Sequence, residues 1–119
     1  MPARNYRDLF AWQRAMELVE LAYRASGHFP KEEVFSLTNQ VRRAAVSIPS
    51  NIAEGQGRGS DAEFSRFLRI AHGSSREVET QFMIAQRLTY ISEQQLAALL
   101  ELAADVGKLI NGLLRAKKG

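Results

Sequence analysis

Residues 37–64 read LTNQVRRAAVSIPSNIAEGQGRGSDAEF and contain the end of one predicted helix and the start of the next. Apolar residues recur in the first part at steps of three and four, which places them on one side of an α-helix. These residues are Leu37, Val41, Ala44, Ile48 and Ile52. The glycine-rich run at 55–59 ends this helix, and Ser60 with Glu63 forms a capping box typical of a helix N-terminus. The stretch therefore predicts a helix, a tight turn and a second helix.

Pro49 lies inside the first of these two helices, which is expected to begin at about Lys31 or Phe35. Because proline has no N–H to donate to the carbonyl four residues earlier, we expect a kink at this point. The neighbouring hydroxyls of Ser47 and Ser50 are expected to reduce this kink.

Two further helices are predicted on either side of this stretch. The first helix starts near Leu9 with Asp8 as its N-cap, and Gly27 with Pro30 stops it. Its helical stripe consists of Leu9, Trp12, Met16, Val19 and Tyr23.

The helix that opens at Ser60 is expected to continue to about Tyr90, and Ser92 with Gln95 opens a fourth helix by a second capping box. The third stripe consists of Phe64, Phe67, Ala71, Val78, Phe82 and Ala85. The fourth consists of Leu96, Leu99, Ala103, Val106, Ile110 and Leu113.

Four amphipathic helices with short connections predict an all-α fold, an antiparallel up-down four-helix bundle formed by residues 1–119 as one domain. The first helix carries a second apolar row, Phe10, Leu18 and Leu21, away from its stripe. The fourth helix has an apolar arc of roughly 180°, wider than one bundle face requires. Excess apolar surface on a short chain predicts a homo-oligomer, in which the second apolar row forms subunit contacts.

Composition excludes several kinds of protein. The 119 residues include no cysteine, so disulfides and thiolate chemistry are excluded and a reducing, cytoplasmic location is expected. We find no apolar run long enough to span a membrane, and no membrane partner is expected. The net charge is +3, and twelve of the sixteen basic residues are arginine, which suits both phosphate contacts and ion pairs.

Catalytic and metal-binding patterns are not found in the sequence, so we predict no enzyme, no metal and no cofactor, and we do not expect a small-molecule ligand. The residues three positions before His28 and His72 are not glutamate, as a bundle di-iron site would require. The run at 55–59 resembles a phosphate cradle, but it follows a helix and lacks the Gly-Lys-Ser/Thr ending. We interpret it as a turn and keep Arg58 as a candidate anion contact.

A polar row on the second helix has two interpretations. Its members occur at steps of three and four, along one flank of the apolar stripe. They are Arg43, Ser47, Ser50 and Glu54, with Asn51 close by. Since the row contains both charge signs, a hydrogen-bonded seam against another helix or subunit is favoured over a ligand site.

An arginine row on the third helix also has two interpretations. Arg69, Arg76 and Arg87 fall within roughly 20° of one another, and Arg66 lies on a neighbouring flank. The row is either a solvated face or a contact for nucleic acid. No aromatic residues alternate with the arginines, so such a contact would reach phosphates rather than bases.

The amino-acid sequence of the central helices resembles that of a known family. The run QVRRAAVSIPSNIAEG at 40–55, followed by the Glu63-Phe64, Phe67-Leu68 and Gly73-Ser74 pairs, is similar to the bacterial 23S rRNA intervening-sequence proteins. The resemblance extends to about Ile91 and implies a cytosolic four-helix bundle that assembles as a ring-shaped homopentamer, with no established role. A structurally similar accessory protein of diversity-generating retroelements binds nucleic acid, which is an analogy at the level of fold.

The sequence thus predicts a non-enzymatic oligomeric bundle that serves as an RNA-binding, DNA-binding or ribonucleoprotein accessory factor. The alternative is an adaptor or assembly module whose partner is another protein. The candidate nucleic-acid contacts are Arg58, Arg66, Arg69, Arg76 and Arg87.

Overall fold

The computed structural model describes residues 5–118, and their side chains as far as Ala116. Within this part of the chain there are four α-helices and no strand. The helices are α1 (Phe10–Ser26), α2 (Leu37–Gly57), α3 (Asp61–Arg87) and α4 (Glu93–Lys118). Short 3-10 helices at Tyr6–Asp8 and Lys31–Glu33 precede α1 and α2.

The four helices form a bundle in which each packs against two others. The neighbouring pairs are α1–α2, α2–α3, α3–α4 and α1–α4. Short connections at 58–60 and 88–92 join consecutive neighbours, so these helices run antiparallel. The bundle is about 44 Å long. Among the described residues, none of the helices contains an apolar segment of the length that spans a lipid bilayer.

Both predicted capping boxes lie at helix starts. The Ser60 hydroxyl accepts a hydrogen bond from the backbone N–H of Glu63 at 3.2 Å. At α4 the box is reciprocal, because Ser92 accepts from the N–H of Gln95 and the Gln95 side chain accepts from the N–H of Ser92. These side chains satisfy N–H groups that have no partner inside the helix.

Two predicted helix boundaries were wrong. Asp8 lies in the 3-10 helix and does not cap α1, whose N-cap is Leu9. The third helix ends at Arg87 rather than at about Tyr90, because Thr89 adopts a left-handed conformation with φ of 64°.

The core stripes predicted for α2, α3 and α4 are confirmed, with partial exposure at Leu37, Leu96 and Leu113. Pro49 is buried inside α2, which continues as one helix to Gly57. The kink at Pro49 stays a prediction.

The buried side of α1 differs from the predicted stripe. Met16 and Tyr23 are exposed, whereas the core residues of α1 are mainly alanines, which allow the helix to approach its neighbours closely. These core residues are Ala11, Ala15, Leu18, Ala22 and Ala25. Leu18 is completely buried, so its prediction as a subunit contact in the second apolar row was wrong.

Candidate nucleic-acid interface

The arginine row, Arg69, Arg76 and Arg87, lies on the exposed side of α3. The separations of seven and eleven residues bring the three side chains to within about 20° around the helix axis. At 1.5 Å per residue, Arg69 and Arg87 are about 27 Å apart along the axis. A single helix therefore presents three guanidinium groups in one line.

The three members of the arginine row differ in charge compensation. Arg76 Nη1 donates to Glu79 Oε1 at 2.8 Å, and that arginine side chain is still 65% exposed. Arg69 and Arg87 form no ion pair with any residue that the structure describes. The Glu79 side chain is only 13% exposed, so the charge of Arg76 is compensated, and Arg69 and Arg87 are the members of the row that are open to a phosphate.

Arg58 and Arg66 belong to a separate cluster near the start of α3. Their guanidinium carbons lie 5.1 and 4.5 Å from the ring centroid of Phe67, within cation–π range. Arg58 also pairs with Glu54 at 2.6 Å, and Arg66 pairs with Glu63 at 3.1 Å. Both cations are therefore compensated, unlike Arg69 and Arg87.

The Arg66–Glu63 pair also affects the ionisation of both groups. The hydrogen bond from Arg66 lowers the pKa of Glu63, and the same hydrogen bond raises the pKa of Arg66. This pairing was not predicted from the sequence, although the spacings of three and four residues between acids and arginines are a known signal for it.

Apolar side chains share the outward side of α3 with the arginine row, and their exposure was not predicted from the sequence. Four of them have more than two-fifths of their surface exposed. They are Ile70, Met83, Ile84 and Leu88. Ile70, Ile84 and Leu88 lie at about 60–100° from Arg69 around the helix, and Met83 lies on the other flank.

The polar row of α2 does not form one continuous seam within the bundle. Ser47 reaches α3, where its hydroxyl and that of Ser74 are hydrogen-bonded at 2.6 Å. Asn51 donates to the backbone carbonyl of Ser47 on its own helix, and Glu54 pairs with Arg58 rather than with Arg43.

Arg43 and Ser50, the other members of that row, are exposed and form no side-chain hydrogen bond within the described part of the chain. Among the described residues of the subunit, Ser47 is the member of the row with a hydrogen bond to another helix. A role for Arg43 and Ser50 against another subunit stays a prediction.

Two residues of the second apolar row of α1 are accessible to a neighbouring subunit. Phe10 is 70% exposed, and Leu21 is partly buried against the core. Phe10 lies beside a groove between α1 and α4 that Arg14 and Asp105 bridge with a 2.7 Å ion pair.

No cluster of three or more metal-binding side chains occurs among the described residues. His28 is exposed in the connection between α1 and α2, and His72 is half-buried on α3.

Comparison with known proteins supports both the fold and the family. A sequence model of the family described as 23S rRNA-intervening sequence protein matches residues 7–112. A crystal structure of a protein of unknown function from the S23 ribosomal protein family of Bacteroides thetaiotaomicron VPI-5482 superposes with a TM-score of 0.80. The superposition covers 87% of this chain and 97% of the other, and at 22% identity it supports the fold alone. No protein with a curated description is significantly similar in sequence.

Proposed function

Because the chain belongs to the 23S rRNA-intervening sequence protein family, we propose that it is a non-enzymatic, oligomeric accessory protein that binds the phosphate backbone of RNA or DNA. The contact surface is the arginine row of α3. The observation that carries this proposal is the exposure of Arg69 and Arg87 on one side of α3 without an acidic partner among the described residues.

The chemistry of this surface favours phosphates over bases. Guanidinium groups donate two parallel hydrogen bonds to phosphate oxygens. The three aromatic residues of α3, Phe64, Phe67 and Phe82, are buried and cannot stack on bases. We therefore expect weak sequence preference.

Assembly would strengthen the electrostatic attraction. One chain carries a net charge of +3, so a ring of five would carry +15 and would repeat the arginine row five times. Pentameric assembly in the cytoplasm rests on the resemblance to the family, and it is part of the proposal.

The test is binding of labelled RNA and DNA, both single-stranded and duplex, measured by fluorescence anisotropy over a range of salt concentrations. Replacing Arg69, Arg76 and Arg87 by glutamine should weaken binding and reduce the salt slope. On duplex DNA we expect the slope to fall by about 0.9 for each phosphate that the variant no longer neutralises. Light scattering on the same variant should show unchanged assembly.

A matched control removes three charges elsewhere. Arg24, Lys31 and Arg115 are exposed and form no ion pair with described residues, so their replacement by glutamine lowers the net charge equally. We expect this control to retain most of the affinity. Equal reductions in affinity for the two triple variants would show a general charge effect, and no binding at low salt would contradict the proposed function.

A protein-adaptor role is the second candidate, and the exposed aliphatic side chains beside the arginine row favour it. Arginine and large apolar residues together are typical of protein interfaces. If wild-type protein binds no nucleic acid at low salt, this second function replaces the first.

A further inference from the structure

A second basic surface lies between α1 and α2, away from the arginine row. We call it the α1–α2 groove. It has a volume of about 430 Å³, and among the described residues no acidic side chain lines it. Its lining consists of Tyr23, Asn39, Arg42, Arg43, Val46 and Ser47.

Arg42 is held in a fixed orientation by neutral groups. Its Nε donates to the hydroxyl of Ser26 at 2.8 Å, and Nη2 donates to the backbone carbonyl of Tyr23 at 3.3 Å. Its guanidinium carbon lies 4.6 Å from the centroid of the Tyr23 ring. These contacts position the cation without a carboxylate to neutralise it, and Nη1 has no hydrogen bond with the described residues.

Arg43 places a second cation beside the first. It is exposed and has no ion-pair or hydrogen-bond partner within the described range. Glu77 lines the adjoining groove between α2 and α3, on the other side of Arg43, but lies beyond ion-pair distance. Because both arginines line the same groove, an anion bound there would be attracted by two positive charges.

We propose that the α1–α2 groove binds a phosphate group. Arg42 Nη1 and the Arg43 guanidinium would supply charged N–H donors, and the amide of Asn39, one turn earlier on α2, would supply a neutral one. A phosphate has enough acceptor oxygens to bind two guanidinium groups at once.

The phosphate has two chemical sources, free phosphate and the backbone of a nucleic acid. The groove is formed by α1 and α2 and includes no residue of α3. The inference therefore goes beyond the proposed function and does not depend on the arginine row.

The experiment is a titration of the isotope-labelled protein with inorganic phosphate, followed by NMR at an ionic strength kept constant with chloride. We expect saturable shifts in the backbone amides around residues 39–47 and in the Arg42 side chain. Arg43→Gln should weaken phosphate binding about tenfold, because it removes a charged hydrogen-bond donor. Since Arg43 has no side-chain hydrogen bond in the bundle, this variant is expected to fold.

The control is Arg24→Gln, which removes an exposed arginine of α1 that does not line the groove. It should bind phosphate as the wild type does. Absence of saturable shifts in the wild type, or equal binding by wild type and Arg43→Gln, would overturn the inference.

A second titration identifies the source of the phosphate. Duplex RNA or DNA that displaces inorganic phosphate from the groove would assign the site to a nucleic-acid backbone. Without displacement, the site is assigned to free phosphate. Neither titration uses the triple variant of Arg69, Arg76 and Arg87, so this inference and the proposed function can fail separately.

Discussion

At the scale of single residues, Gly55 sets the distance between α2 and α3. A Cβ atom at this buried position would lie 2.5 Å from Cβ of Phe67 and 3.2 Å from Cδ1 of Phe64. Real side-chain atoms do not approach this closely, so the two helices would have to separate. Gly55 is therefore required by packing, although in the sequence it looks like the first glycine of a helix end.

We expect Gly55→Ala to lower the free energy of unfolding by about 1–3 kcal/mol, the usual effect of overpacking. The matched control is Gly57→Ala, where an added Cβ meets no atom within 4 Å. Since alanine favours a helix over glycine, Gly57→Ala should be neutral or stabilising by up to about 1 kcal/mol. Urea unfolding measures both variants, and a neutral Gly55→Ala would contradict the packing argument.

At the scale of elements, Glu33 connects the start of α2 to the turn between α3 and α4. Its carboxylate accepts hydrogen bonds from the Ser36 hydroxyl at 2.7 Å, the Tyr90 hydroxyl at 2.8 Å and the backbone N–H of Leu37 at 3.2 Å. The hydrogen bond from Ser36 contributes most to lowering the pKa of Glu33, followed by those from Tyr90 and Leu37.

Because the pKa of Glu33 is lowered in the folded state, the ionised carboxylate stabilises the fold at pH values above the pKa of the unfolded state, near 4.5. This contribution should disappear as the pH falls through the lower pKa of the folded state. Glu33→Gln should therefore lose less stability than the wild type on acidification through this range. Urea unfolding above and below pH 4.5 measures the difference, with the exposed Glu32→Gln as control. Identical acid dependence in Glu33→Gln and wild type would contradict this role.

At the scale of the whole molecule, the proposed assembly would use surface that the bundle leaves exposed. Phe10, at 70% exposure beside the groove between α1 and α4, is the strongest candidate from the predicted second row. Leu18 cannot contact a neighbour because it is fully buried. An exposed phenylalanine beside a groove is a typical anchor for a protein interface.

We expect Phe10→Glu to lower the particle mass in light scattering while helical circular dichroism persists. Leu18→Glu should instead unfold the bundle, since it buries a charge in the core. Phe35→Glu is the matched control, because Phe35 is 94% exposed in the connection before α2. A wild-type monomer at micromolar concentration, or an equal decrease in mass for the Phe35 variant, would contradict an interface at Phe10.

Helix boundaries and helix sides that depend on residues close together in the sequence could be predicted from the sequence. The capping boxes at Ser60 and Ser92 involve residues three positions apart, so their hydrogen bonds follow from local sequence. The stripes of α2, α3 and α4 are likewise confirmed, because each of these helices has one dominant apolar side. The location of the arginine row on one side of α3 follows from helical geometry alone.

The sequence by itself therefore determined the four helices, three of their buried sides and the line of arginines. Only the tertiary structure decided the buried side of α1, because the apolar arc of that helix is wider than one bundle face and the alanines in the middle of the arc permit the closest packing. It also decided which arginine side chains contact rings or other helices. Arg58 and Arg66 meet on the ring of Phe67, while Arg42 is held by residues of another helix. These contacts join separate turns and helices, and their geometry depends on how the bundle packs.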